Sequence, residues 1–86
     1  MSAPLPLRVT VLDTWEEFPL TVPGETPVAE VKRRALQLAH VRRPTEGYLV
    51  KYQGAEVPEG SVTVAEAGIP ANGALIVLSR RRTPVR

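Results

Sequence analysis

His40 is the only histidine in the chain and there is no cysteine, so it is the one side chain whose ordinary pKa lies near neutrality. It has no evident partner for proton transfer. It falls near the end of a helical pattern, where an imidazole suits the negative end of the helix dipole better than it serves as a general base or a metal ligand. Ser61 and Ser79 belong to no nucleophile motif, and the six glycines make neither a phosphate loop nor a dinucleotide fingerprint. The carboxylates are scattered, which leaves paired acid–base chemistry without a site. The expectation is therefore a protein that is not an enzyme and carries no cofactor and no metal. Recognition remains, through Trp15, through a set of strand aliphatics, or through arginines gathered at 33–34, 42–43 and 80–82.

The elements that must position these residues follow from a change of period along the chain. Apolar residues alternate at Leu7, Val9 and Val11 and again at Phe18, Leu20 and Val22, as in two strands that each bury one face. Asp13, Thr14, Trp15 and Glu16 form the connection. A helical period takes over at Val28, Val31, Ala35 and Leu38, with charged residues mostly between, and predicts that these four face the core. Thr26 is placed to cap, Pro27 suits the first helical position, and Arg42 and Arg43 suit the negative end before Pro44. Strands are predicted from Tyr48 to Tyr52 and from Ala74 to Arg80. Between them, Thr63 and Glu66 have capping-box spacing and Gly68 can take left-handed angles, which predicts one short helical turn over Val64 to Ala67. Pro19 has no N–H to donate, so the second strand belongs at a sheet edge.

Eighty-six residues make one small domain that buries only about three-fifths of its unfolded surface. The folded region is expected from Leu7 to Arg81, with residues 1–6 a short tail and residues 82–86 a basic one. Without cysteine, packing alone must hold it together. No secretory signal pattern is present and no segment approaches membrane-spanning length, so the expectation is a cytoplasmic protein with no membrane insertion. The net charge is +2, with arginines at 80, 81, 82 and 86 supplying the excess. Abundant arginine, alanine and proline beside two lysines hint at a GC-rich bacterial genome.

A run of features resembles ubiquitin and the wider ubiquitin-like β-grasp family over nearly the whole folded region. Thr26-Pro27-Val28-Ala29-Glu30-Val31-Lys32 resembles that family's helix start, and Tyr52-Gln53-Gly54 its turn after the third strand. Glu59-Gly60 followed by Thr63-Val64-Ala65-Glu66-Ala67-Gly68-Ile69 resembles its approach to a buried isoleucine, and Leu75-Ile76-Val77-Leu78-Ser79-Arg80 its last strand. The resemblance implies an α+β fold, a four- to five-stranded mixed sheet with one main helix across one face. It places the first and last strands side by side and parallel at the centre and the second strand at an edge. It implies a fold more firmly than a function.

Modifiers and sulfur carriers of that family end in Gly-Gly, which this sequence lacks, so conjugation is expected only after unusual processing. The family binds its partners through the sheet face away from the helix, which here should present Leu12, Leu49, Lys51, Ile76, Leu78 and Arg80. Lys51 stands where the family has a central aliphatic. Burying its ammonium against an apolar receptor costs on the order of several kcal/mol unless it is paired, so ordinary ubiquitin receptors should not bind. The aliphatics still form a candidate interface, and Trp15 is a candidate aromatic hot spot at the first hairpin.

The expected function is thus a non-catalytic interaction module, a small adaptor or subunit docking onto a larger protein. A type VII secretion system and a multicomponent aromatic monooxygenase, whose small β-grasp subunit resembles Val62 to Leu78 in general pattern, are two bacterial settings that fit. Arginines at 33–34, 42–43 and 80–82 allow a nucleic-acid alternative, but no aromatic stacking platform accompanies them, which argues against it.

Overall fold

A computed structural model of the chain describes residues 4–58 and 62–79. Alternation builds the sheet as expected: strand β1 (Pro4–Val11) buries Leu7, Val9 and Val11 on one side, and β2 (Glu16–Pro23) turns Phe18, Leu20 and Val22 to the same side. Helix α1 (Val28–Leu38) follows, then a single 3-10 turn (Thr45–Gly47), β3 (Tyr48–Tyr52), the two-residue β4 (Ala55–Glu56) and β5 (Gly73–Ser79). The strand order is β2-β1-β5-β3-β4, with β1 parallel to β5 and the other pairs antiparallel. Arg80, Arg81, Arg82 and Arg86 lie outside the described residues, as does Ser61.

The first strand begins at Pro4, three residues earlier than its hydrophobic alternation suggests. The pairs Pro4↔Pro23, Pro6↔Thr21 and Arg8↔Pro19 belong to one alternating set. The Pro6 carbonyl accepts the Asn72 N–H at 2.6 Å on the β5 side, so this set points its backbone groups away from the β1–β2 ladder. Every proline of the pair sits where no ladder donor is required, and Pro19 lies on the edge strand as expected.

The helix is rotated from the expected register. Its buried stripe is Val28, Val31, Lys32, Ala35 and Leu36, whereas Leu38 is 44% exposed. Lys32 makes the difference, because its stem lies in the core while its ammonium donates to the Tyr48 carbonyl at 2.9 Å. A lysine counted as polar therefore occupies a core position, and Leu36 one turn on takes the place assigned to Leu38.

Both helix ends also differ from expectation. Pro27 is the N-cap residue and makes no side-chain cap, and Thr26 does not cap either; Val28 N–H donates instead to the Val62 carbonyl at 2.9 Å. The last turn holds no basic residue. His40 adopts φ 60°, its N–H bonds to Gln37 O and the Val41 N–H to Leu36 O, which is a Schellman closure with histidine in the usual glycine position. Farther on, Thr63 and Glu66 form the reciprocal capping box, at 3.0 and 3.1 Å, and Gly68 takes φ 77°. Gly73 starts β5 where a Cβ would meet Ile69 Cγ2 at 2.7 Å and the Pro70 carbonyl at 2.9 Å.

Candidate interaction surface

Residues on the sheet face away from α1 come into line through strand register. Glu17, Thr10, Ile76, Lys51 and Glu56 form one row across all five strands, by the successive pairs Glu17↔Thr10, Thr10↔Ile76, Ile76↔Lys51 and Lys51↔Glu56. The row has carboxylates at both edges, an ammonium near one of them and an aliphatic at the centre. Next to it, Leu49 stands opposite Leu78, and Leu12 continues the β1–β5 register with its N–H on the Val77 carbonyl at 3.0 Å. Cross-strand neighbours of this kind place Cβ atoms about 5 Å apart, so Leu78 lies beside both Leu49 and Leu12, with Ile76 two residues back on the same strand.

Five of the expected partner-binding residues, Leu12, Leu49, Lys51, Ile76 and Leu78, are thus brought together from β3, β5 and the position just past β1. Ile76 is 39% exposed, while the three leucines and Lys51 are half-buried. Trp15 sits apart from the row, at the hairpin tip, with 78% of its surface exposed. Arg80 lies outside the described residues. On the other side of the row a shallow depression of about 500 Å³ is lined by Thr10, Tyr52, Asn72, Ala74 and Ile76 among others.

Two interactions brace the strands and hairpin that carry this face, one on the face and one on the core side. Arg8 Nε pairs with Glu17 Oε2 at 2.9 Å across the β1–β2 ladder, an exposed contact of small energetic value that still orients both side chains. Beneath the hairpin, the buried Tyr48 ring sends its hydroxyl to Asp13 Oδ2 at 2.5 Å. Burial, and then the Asp13 carboxylate, push the Tyr48 phenol above its ordinary pKa, so it is a donor at neutral pH. That tie joins residues 35 apart in sequence, which strand alternation does not pair.

The residues weighed for catalysis stay dispersed. His40 is exposed at the helix end and Ser79 half-buried at the end of β5. Among the described residues no group of three or more His, Asp or Glu side chains is placed to hold a metal ion. On the opposite side of the molecule Glu30 accepts from both Arg33 and Arg34, and these hydrogen bonds lower its pKa from 4.5 to about 2. No helix among the described residues is long and apolar enough to cross a membrane.

Solved structures match this arrangement along almost the entire chain. Ubiquitin of Caldiarchaeum subterraneum superposes with a TM-score of 0.77 at 12% identity, covering 95% of this chain and 100% of that one. A ubiquitin-like domain of an Arabidopsis thaliana protein gives 0.75 at 16% identity, covering 96% of this chain and 84% of that one. A protein designed on the basis of ubiquitin gives 0.77 at 17% identity, with 96% of each chain covered. No protein-family model and no curated protein matches the sequence. Parallel central strands β1 and β5, the edge strand β2 and a single helix across one face agree with these neighbours, and the chain has the ubiquitin-like β-grasp fold.

Proposed function

We propose that the protein is a non-catalytic interaction module that docks onto a larger protein through the sheet face opposite α1. The observation that carries this reading is the convergence of Leu49, Ile76 and Leu78 on β3 and β5 with Leu12 just past β1, on a face that no helix among the described residues covers. Lys51, next to Ile76 and opposite Glu56, adds a charge that selects the partner. A purely apolar receptor would have to desolvate its ammonium, whereas one with a facing carboxylate would gain a pair. A small adaptor or subunit of a cytoplasmic bacterial complex, of the secretion or monooxygenase type, is the form this module takes under the proposal.

Ile76→Asp and Leu78→Asp test it. Both side chains point away from α1, so each variant should still fold cooperatively, with the lower denaturant midpoint for the half-buried Leu78→Asp, while recovery of the partner complex from the native host is lost. Lys51→Glu should invert the preference for partner charge. A complex retained by both aspartate variants would leave this face without a role. Loss with arginine substitutions alone, accompanied by steep salt dependence, would point to nucleic acid instead.

A further inference from the structure

We propose that the first hairpin carries a second docking element, in which the Trp15 indole enters an apolar slot rimmed by lysine or arginine on a partner protein. This goes beyond the sheet-face reading and rests on different residues. Trp15 is the last of the four residues joining the paired Val11 and Glu16, and it adopts φ 57°. That left-handed conformation is taken without strain by glycine, tolerably by asparagine, and seldom by a bulky side chain. The ring is 78% exposed, so packing within the fold returns little for the strained backbone. Trp15 thus adds almost nothing to the fold that glycine would not, and its large apolar surface is available to a partner.

The tip is held firmly. The Trp15 and Thr14 N–H groups donate to the Val11 carbonyl at 2.8 and 3.3 Å, Asp13 accepts from Tyr48, and Glu17 accepts from Arg8. An aromatic ring on a pinned turn loses little freedom on binding, which is the condition under which tryptophan acts as a hot spot. The surroundings indicate the partner's chemistry. Asp13 and Glu16 carry negative charge within two residues of the ring, while that of Glu17 is offset by its pair with Arg8, so a complementary rim is basic. Its cations can also stack on the indole face, and the slot needs one oxygen acceptor for the indole N–H. The same carboxylates repel phosphate, which disfavours a nucleic acid or an anionic membrane as occupant.

Because Trp15 is the only tryptophan, its emission reports on the tip alone. In the full chain, with each ion's quenching scaled to its quenching of free N-acetyltryptophanamide at matched ionic strength, the ratio of caesium to iodide quenching should exceed one, and Trp15→Gly should keep or raise the denaturant midpoint. A scaled ratio below one, or a lowered midpoint in Trp15→Gly, would show a ring in a different field or packed on the fold, and either overturns the proposal. A photo-crosslinking amino acid at position 14, used in the native host, then identifies what the tip touches. The purified partner should shift Trp15 emission to the blue and bind Trp15→Gly at least about 30-fold more weakly, the effect of truncating a hot spot. Glu16→Lys should weaken binding chiefly at low salt. Unchanged affinity of Trp15→Gly overturns the proposal, and crosslinks confined to copies of this chain replace the partner with a second copy and overturn it too. If Ile76→Asp abolishes binding while Trp15→Gly does not, the sheet-face reading stands and this one fails; the opposite pattern separates them the other way.

Discussion

Lys32 on α1 donates its ammonium proton to the Tyr48 carbonyl at the start of β3, at 2.9 Å and with only 4% of the lysine exposed. Tyr48 in turn reaches Asp13 in the hairpin with its hydroxyl, so one continuous chain of polar contacts runs from the helix, through the core edge, to the loop that carries Trp15. Lys32→Ala removes both the donor and the packed stem and should lose about 2 to 3 kcal/mol of stability. Lys32→Met keeps the packing and drops a desolvated charge, so it should lose only about 1 kcal/mol. Equal denaturant midpoints for the two variants would show that the stem, and hence the helix rotation, contributes nothing.

The rotation itself predicts unequal leucines. Leu36 is 2% exposed and Leu38 44%, so Leu36→Ala should cost about 2 to 5 kcal/mol and Leu38→Ala less than about 1. Chemical denaturation of both variants checks this, and a larger loss at Leu38 would restore the register expected from periodicity alone.

His40 holds φ 60° at the helix C-terminus, a conformation costing a non-glycine residue about 1 to 2 kcal/mol. Part of that gain is offset by the flexibility glycine adds to the unfolded chain, so His40→Gly should stabilise by up to about 1 kcal/mol. The expected readout is a melting midpoint several degrees higher, with no such rise for His40→Ala, whose β-carbon keeps the strain.

Edge strand β2 turns Pro19 and Pro23 outward, which deletes alternate donors from its free edge. Pro19→Thr restores one donor in a strand-forming residue. Sedimentation at rising concentration should then show self-association absent from the parent chain, whereas a variant that stays as monomeric as the parent would show that the proline does not guard this edge.

Glu30 titrates at about 2 when folded, against 4.5, because Arg33 and then Arg34 hydrogen-bond its carboxylate. A depressed folded pKa stabilises the fold fully above the unfolded value and is lost as pH falls through the folded one. The stability difference between the parent and Glu30→Gln should therefore be constant above about pH 5 and shrink between pH 4.5 and 2. The pair is solvent-exposed, so the effect is small and should fade in high salt.

Features decided by neighbours in sequence were legible without the fold. Parity along the strands assigns Leu12, Leu49, Lys51, Ile76 and Leu78 to one face, because successive side chains must alternate whatever the partner strand is. The three-residue spacing of Thr63 and Glu66 specifies a capping box, since both hydrogen bonds close within one turn. Pro19 excludes the middle of a sheet because it lacks a donor. These rules act over a few residues, and they held here.

Tertiary structure decided what depends on a distant partner. Lys32 takes a core position with its ammonium on the Tyr48 carbonyl, sixteen residues away, and the helix face it shares buries Leu36 in place of Leu38. Thr26 is not needed as a cap because Val62 supplies a carbonyl to the first helical turn. Pro4 joins a strand because Pro23 lies opposite. Trp15 takes a left-handed position, and becomes the most exposed large apolar residue described, because pairing of Val11 with Glu16 fixes the length of its loop. In each case the deciding energy is a hydrogen bond or a packing contact whose second partner no local pattern names.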